Sequence, residues 1–235
     1  MRATSMCAAR SGIVRLLLIR HGQVIPPSPD CLYGGMDVPL SDFGRRQATA
    51  AAEHVADTPL HAVFASPLSR ARFGAEEVVK AVAARTSAEP ELIIDDGFRE
   101  IDRGLWGGRD RAEIEAEAPG GLERLKVDAE FAPPEGETML QLQARVRRAM
   151  DAALERTPPG STSAVVSHMH VTRCMVARAL GVGYEAFGDI EIPLGSVSLL
   201  EKDAATGELS VVYAGVEPSL GEGVSSDVAG RAWGG

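Results

Sequence analysis

Short apolar runs alternate with longer amphipathic stretches along most of the chain. Residues 13–19 are almost wholly apolar, and residues 62–65 and 164–167 have the same character. Apolar runs of this length are typical of strands buried on both faces of a parallel sheet. A stretch with helical periodicity follows each run, so the sequence predicts an α/β fold with a mainly parallel central sheet.

Cap residues set the expected limits of the early helices. Ser41 or Asp42 is placed to cap a helix that runs to Val55. Ser66 followed by Pro67 predicts an N-cap and a first helical position for the next helix.

Further elements are expected later in the chain. Residues 137–156 have the pattern of a long amphipathic helix, and a helix of about residues 170–180 should end at Gly181. Residues 197–200 and 209–213 resemble strands of a hairpin.

The organisation predicted is one domain with two loose ends. We expect a flexible leader over residues 1–12, a single catalytic domain over 13–214 and a disordered tail over 215–235. Residues 95–134 are rich in Gly, Pro and charge, which predicts an insertion with one or two short helices that covers a site.

Composition narrows the class of partner. The chain has 235 residues, 45% of them hydrophobic, and a formal net charge of -9. An acidic chain without a basic run is a poor binder of nucleic acid, so an anionic ligand would have to be drawn by a local positive pocket.

Cysteine usage and the absence of a targeting pattern favour a cytoplasmic setting. Cys7, Cys31 and Cys174 are odd in number and widely spaced, which argues against a disulfide framework and a structural zinc site. The apolar run at 13–19 is interrupted by Arg15 and is too short to span a bilayer, so no membrane partner is expected.

Polar residues follow the ends of three predicted strands. Arg20 and His21 follow the first, Arg70 lies just beyond the second and His168 follows the third. Each alone is more often a structural residue, but ligands of open α/β sheets bind at the carboxyl ends of the strands. Two guanidiniums and two imidazoles at one edge predict a phosphate site.

His170 forms a His-x-His pair with His168, and such pairs are found at metal sites. No Asp or Cys is spaced nearby to complete a ligand set. We therefore interpret His170 as a residue at the start of a helix without a chemical role.

Six segments in order resemble the histidine phosphatase superfamily, which includes the cofactor-dependent phosphoglycerate mutases. They are Arg20-His21-Gly22, Tyr33-Gly34-Gly35-Met36-Asp37-Val38-Pro39-Leu40-Ser41, Ser66-Pro67-Leu68-Ser69-Arg70-Ala71, Phe98-Arg99-Glu100-Ile101-Asp102, Pro134-Glu135-Gly136-Glu137-Thr138 and Val166-Ser167-His168. The resemblance covers about residues 13–200 and implies a three-layer α/β/α sandwich.

The resemblance implies a role for each site residue. His21 would be the nucleophile that becomes phosphohistidine, Arg20, Arg70 and His168 would surround the phosphate, and Glu100 would protonate the leaving oxygen. No metal and no cofactor are implied, and the partner would be a small phosphorylated substrate.

Physical chemistry adds three expectations. A backbone carbonyl near Gly22 should hold one ring nitrogen of His21 as N–H so that the other nitrogen can attack. A protonated His168 and the arginines would take the place of a metal ion. A bound phosphate would raise the pKa of Glu100, although Asp102 is a rival acid nearby.

The chain departs from the family pattern at several positions. Gln23-Val24 replaces a common Glu-Thr, and Pro27 stands where many members have a phosphate-binding Asn. Gly74, Gly107 and Met169 also differ from the usual residues. None of these changes removes an implied catalytic residue, but they affect the pocket entrance.

Several functions remain open at this stage. A phosphatase is favoured over a mutase because the chain lacks the longer insertion after Glu100, and the stretch 31–40 looks most like α-ribazole phosphatases. The alternatives are phosphoglycerate mutase-type transfer, a non-catalytic phosphate-binding module and a metal-dependent phosphohydrolase. The oligomeric state is not predicted.

Overall fold

The computed structural model describes residues 12–221. The expected leader and most of the expected tail fall on residues 1–11 and 222–235, which lie outside the described residues. No helix of the described part is both long and apolar enough to cross a bilayer.

Six strands of the described chain form one mixed sheet in the order β3-β2-β4-β1-β5-β6. Their bounds are β1 (Ile13–Arg20), β2 (Leu60–Ala65), β3 (Glu91–Ile94), β4 (Thr162–Ser167), β5 (Val197–Asp203) and β6 (Leu209–Val216). The four strands from β3 to β1 are parallel, and β5 and β6 add an antiparallel hairpin. The mainly parallel sheet and the late hairpin are confirmed.

Six α-helices connect the strands within residues 12–221. They are α1 (Asp42–Val55), α2 (Ser69–Arg85), α3 (Arg111–Glu117), α4 (Gly121–Val127), α5 (Met139–Arg156) and α6 (Met169–Leu180). Short 3-10 helices occupy Asp96–Phe98, Gly104–Trp106 and Tyr184–Asp189.

Alternating side chains of β1 bury both faces of the sheet. Leu16 and Leu18 pack in a core with residues of α5 and α6, whereas Leu17 and Ile19 pack in a second core with residues of α1 and α2. Each fully buried Leu or Ile side chain contributes about 1.5–3 kcal/mol. The result is the expected three-layer α/β/α sandwich.

Two of the three expected caps, those of α1 and α6, are present, and α5 has a cap that was not predicted. The Ser41 hydroxyl accepts a hydrogen bond from the Gly44 amide at 3.0 Å, and α5 begins with a capping box between Thr138 and Gln141. Gly181 ends α6 in the left-handed region at φ 70°. These local signals were sufficient because each cap and its partner lie within one helical turn.

The predicted start of α2 is wrong. The helix begins at Ser69, because Leu68 is still extended at φ -67° and ψ 135°. The Ser66 hydroxyl oxygen accepts a hydrogen bond from the Leu68 amide at 3.3 Å and also lies 2.7 Å from His168 Nε2. Asp37 instead accepts hydrogen bonds from the Ser69 amide and hydroxyl at 2.8 and 2.7 Å.

Residues 95–134 contain the two expected short helices, α3 and α4. Leu32, Trp106 and Ile114 form a small separate core with neighbouring apolar side chains of this segment. The insertion therefore has apolar packing of its own.

Candidate active site

Three neighbouring strands end together at one edge of the sheet. Arg20 at the end of β1 pairs with Ser167 at the end of β4, and Ala65 at the end of β2 pairs with Val166 of β4. The residues that follow these strands therefore lie side by side. This places His21, Ser66 and His168 at the expected site.

The two histidines face each other at this edge. Their ring centroids are 5.1 Å apart with planes at 60°. His21 Nδ1 lies 2.7 Å from the Gly22 carbonyl oxygen. Since a carbonyl oxygen only accepts, Nδ1 must carry the proton and Nε2 keeps the lone pair. The expected carbonyl contact is confirmed.

A close approach of two glycines positions the His21 loop. A methyl group at Gly22 would lie 2.7 Å from both the Cα and the carbonyl carbon of Gly44, and closer still to its oxygen. Carbon atoms in contact are normally about 3.5–4.0 Å apart. Only glycine at position 22 therefore lets the turn that follows β1 pack against the first turn of α1.

Backbone carbonyls fix the two arginines. Arg20 Nη1 donates to the Ile192 oxygen at 2.5 Å, and Arg70 donates from Nη1 to Met36 at 2.6 Å and from Nη2 to Gly34 at 2.8 Å. Neither contact cancels the positive charge. Arg70 is fully buried and lies in the first turn of α2, as expected.

Three buried nitrogen atoms of the site have no hydrogen-bond partner among residues 12–221. They are Arg20 Nε, Arg70 Nε and His168 Nδ1. Leaving one buried donor unpaired costs about 1–3 kcal/mol. Such donors at one sheet edge favour an anion that accepts hydrogen bonds from all three.

Glu100 lies in the same buried site and is 3% exposed. Its Oε1 accepts from the Ile101 amide at 2.9 Å, and its Oε2 accepts from the His170 amide at 3.4 Å. Burial alone would raise the pKa of Glu100, but His170, His168 and the Ile101 amide together hold it well below its ordinary value. Glu100 is therefore a carboxylate in the free protein.

Asp102, the rival acid, differs from Glu100 in its surroundings. It is exposed, and its carboxylate accepts a hydrogen bond from the Gly104 amide at 2.9 Å. The geometry thus favours Glu100 as the acid near His21.

Both site histidines are neutral in the free protein. Burial lowers the pKa of His21 well below its ordinary value, and the charges of Arg70 and Arg20 lower it further. Burial, Arg70 and His21 do the same to the pKa of His168. The expectation of a protonated His168 therefore does not hold for the free protein.

A neutral His168 still offers a donor to a ligand. If the Ser66 hydroxyl donates to Nε2, the ring proton resides on Nδ1, which is the buried atom without a partner. Ser66 therefore determines which nitrogen of His168 carries the proton.

Sequence reasoning missed two residues of the site. His170 was interpreted as having no role, yet its Nδ1 lies 3.5 Å from Glu100 Oε1. The Tyr33 ring lies beside Arg70, with 5.6 Å between the guanidinium carbon and the ring centroid. Tyr33 stood within a segment that resembled the family, but no local signal distinguished His170.

Comparison with known proteins places this arrangement in a family. The family model described as "Histidine phosphatase superfamily (branch 1)" matches residues 16–214. The bifunctional protein Rv2228c of Mycobacterium tuberculosis is 34% identical over 195 residues, which cover 82% of this chain and 51% of that protein. The chain thus spans about half the length of that relative.

Two further matches carry phosphatase names. A glucosyl-3-phosphoglycerate phosphatase of Mycolicibacterium vanbaalenii is 35% identical over 131 residues, covering 56% of each chain. The crystal structure of the α-ribazole phosphatase from Shigella flexneri superposes with a TM-score of 0.73 at 24% identity and covers 90% of this chain and 99% of that chain. The second likeness shows the fold alone. With a family match over most of its length, this chain belongs to the histidine phosphatase superfamily, branch 1.

Proposed function

We propose that the protein is a metal-independent phosphomonoester hydrolase that acts through a phosphohistidine on a small phosphorylated metabolite. The observation that carries the proposal is the set of buried unpaired donors, Arg20 Nε, Arg70 Nε and His168 Nδ1, beside a neutral His21. Preorganised donors of this kind stabilise the negative charge of a phosphoryl group during its transfer.

In the first step His21 Nε2 attacks phosphorus. A P–N bond forms while the P–O bond to the leaving group breaks, and the proton stays on Nδ1, which donates it in a hydrogen bond to the Gly22 carbonyl oxygen. The two arginines and His168 donate to the equatorial oxygens. Their positions are fixed before substrate binds, so little reorganisation is needed.

Glu100 supplies the proton to the leaving oxygen. Because Glu100 is ionised in the free protein, it must gain a proton when substrate binds. A phosphate monoester loses its last proton at a pKa of about 6, so the monoanion can bring that proton with it. The bound phosphate also raises the pKa of Glu100 by like charge.

In the second step water attacks the phosphohistidine. Glu100, now a carboxylate, accepts a proton from the water as the P–O bond forms and the P–N bond breaks. Inorganic phosphate leaves and His21 returns to its starting state. The same carboxyl group thus serves as acid and then as base.

Hydrolysis is proposed in preference to the mutase reaction. Residues 101–134 contain one 3-10 helix, Gly104–Trp106, and two short α-helices, without the longer insertion expected of a mutase. α-Ribazole phosphate remains a proposed substrate from the sequence resemblance, and the relative from Mycolicibacterium vanbaalenii adds glucosyl-3-phosphoglycerate to the compounds to be screened. We propose a cytoplasmic setting for these small metabolites.

The covalent step is tested by trapping. Wild-type protein is incubated with 32P-labelled phosphomonoester and quenched, and acid-labile, base-stable label on the protein is counted. We expect His21→Ala to lose both the label and the hydrolysis of 4-nitrophenyl phosphate. His61→Ala is the matched control, because this histidine is exposed on β2. Label or turnover that survives in His21→Ala would reject the nucleophile.

The same assay separates the alternatives. Wild-type protein that binds phosphate but never releases it from an ester would be a non-catalytic module. Loss of activity in a chelator, restored by a divalent cation, would identify a metal-dependent enzyme. Transfer of label to phosphoglycerate faster than to water would identify a mutase.

A further inference from the structure

A cavity of about 530 Å³ adjoins the proposed general acid. His170 lines it, and the same residue contacts Glu100 through its amide and its ring. Its other walls come from the start of α6, from α4 in the insertion and from the 3-10 helix Tyr184–Asp189. The cavity is therefore next to the carboxyl group that the proposed function uses.

The chemistry indicates which part of the substrate this cavity receives. The leaving oxygen must come within hydrogen-bond reach of Glu100 to be protonated. A leaving group attached to that oxygen then extends away from His21 on the Glu100 side. His170 connects this cavity to Glu100, so the cavity can receive the leaving group, and this inference rests on the proposed function.

The lining combines positive charge with apolar surface. Its charged members are Arg103, Arg111, Lys126, Arg173 and Glu185. Leucine side chains of α4 together with Tyr184 and Phe187 supply apolar walls. Such a lining fits a carbon skeleton that carries an anionic group.

Arg103 and Arg173 stand out among the cations of this lining. The charge of Glu100 acts on both of them. Arg103 is only 4% exposed, and its Nε has no hydrogen-bond partner among residues 12–221. Arg173 is half-buried, and its Nε donates to the Ile190 carbonyl at 2.9 Å, which fixes the guanidinium without neutralising it.

The one acid of the lining does not neutralise this pair by a direct contact. Glu185 instead accepts a hydrogen bond from the Gly183 amide at 3.2 Å, at the start of its own 3-10 helix. A buried guanidinium with an unpaired N–H that lines the same cavity as a second fixed guanidinium favours a carboxylate or phosphate oxygen.

We propose that Arg103 and Arg173 form an anion subsite for the leaving group. The substrate would then carry, besides the scissile phosphate, a second anionic group such as a carboxylate or another phosphate. This group would be held on the far side of Glu100 from His21. Phosphate esters with an uncharged leaving group, α-ribazole phosphate among them, would bind through the phosphate alone and be poorer substrates.

Two aryl phosphates of nearly equal size test the subsite. We compare kcat/KM for 4-carboxyphenyl phosphate and 4-carbamoylphenyl phosphate, which differ by one negative charge. The ratio of the two values should favour the carboxylate in the wild type, and Arg103→Met or Arg173→Met should lower that ratio by about tenfold, equivalent to ~1.4 kcal/mol. Arg103→Lys should recover part of it, because it keeps the charge.

Arg124→Met is the matched control. Arg124 lies on α4 but pairs with Asp128 at the surface and does not line the cavity. The ratio should not change in this variant. If thermal unfolding shows that Arg103→Met does not fold, Arg173→Met alone tests the subsite. Arg173 is only half-buried, so its replacement should not prevent folding.

The outcomes separate the subsite from the proposed function. No turnover of either ester by the wild type would reject the hydrolase itself. Turnover of both esters with a ratio that Arg103→Met and Arg173→Met leave unchanged would reject the subsite and retain the hydrolase. A ratio that falls equally in Arg124→Met would show a general electrostatic effect and would also reject the subsite.

Discussion

Gly22→Ala tests whether the close contact of two glycines positions the nucleophile. The added methyl group would lie 2.7 Å from two backbone carbon atoms of Gly44. This is about 1 Å inside normal carbon–carbon contact. Because the obstacle is backbone on both sides, no side-chain rotation relieves the overlap.

The overlap has two measurable consequences. Overpacking of a buried site costs about 1–3 kcal/mol, and for a domain of this size each kcal/mol lowers the Tm by about 2–4 °C. We therefore expect Gly22→Ala to lower the Tm by roughly 2–12 °C. Displacing Gly22 also moves the carbonyl that holds His21 Nδ1, and a shift of about 1 Å in a reacting group lowers kcat on the order of 100-fold.

The assay is thermal unfolding together with 4-nitrophenyl phosphate hydrolysis. Gly188→Ala is the stability control, because a methyl group there meets no atom within 4 Å. Its Tm should stay within about 1 °C of the wild type. A Gly22→Ala protein with an unchanged Tm and near-wild-type kcat would refute the idea that this contact positions His21.

Three further variants or conditions test the remaining chemistry. Arg70→Ala should weaken inhibition by inorganic phosphate and lower kcat by about 10²–10³-fold, measured by steady-state kinetics; an unchanged rate would place Arg70 outside the site. Glu100→Gln should impair an alkyl phosphate by about 10²–10⁴-fold and 4-nitrophenyl phosphate much less, since only the poorer leaving group needs the acid. Equal defects would point to another acid. Burial lowers the pKa of His21 and Glu100 is ionised, so kcat/KM should fall as pH rises from about 6 to about 8 without an acid limb near 6.5. A kcat/KM that rises through about pH 6.5 would show that His21 must lose a proton first.

The sequence was informative where the signal is local. The apolar runs of β1, β2 and β4 are buried between two helical layers, so their composition alone identified them. β3 escaped notice because it is a four-residue edge strand that pairs only with β2 and is partly exposed. Such a strand has no run long enough to stand out.

Site features that depend on partners distant in sequence could not be predicted from the sequence. Ser66 contacts His168, which is 102 residues away, and no pattern around Ser66 indicates this contact. His170 gained a contact with Glu100 only because the insertion returns to the start of α6. The motif residues were predicted from their resemblance to the family, whereas their hydrogen-bond partners are shown only by the structure.

Backbone carbonyls explain how an acidic chain keeps a positive site. If carboxylates held Arg20 and Arg70, they would neutralise the positive charge of both guanidiniums before a phosphate bound. A carbonyl oxygen accepts the same hydrogen bonds and orients the guanidinium without a formal negative charge. Glu100, the acid whose charge acts on both arginines, is also the proposed proton carrier, so it becomes neutral as phosphate binds. The site is thus most positive when the phosphoryl group needs it, although the chain as a whole carries a net charge of -9.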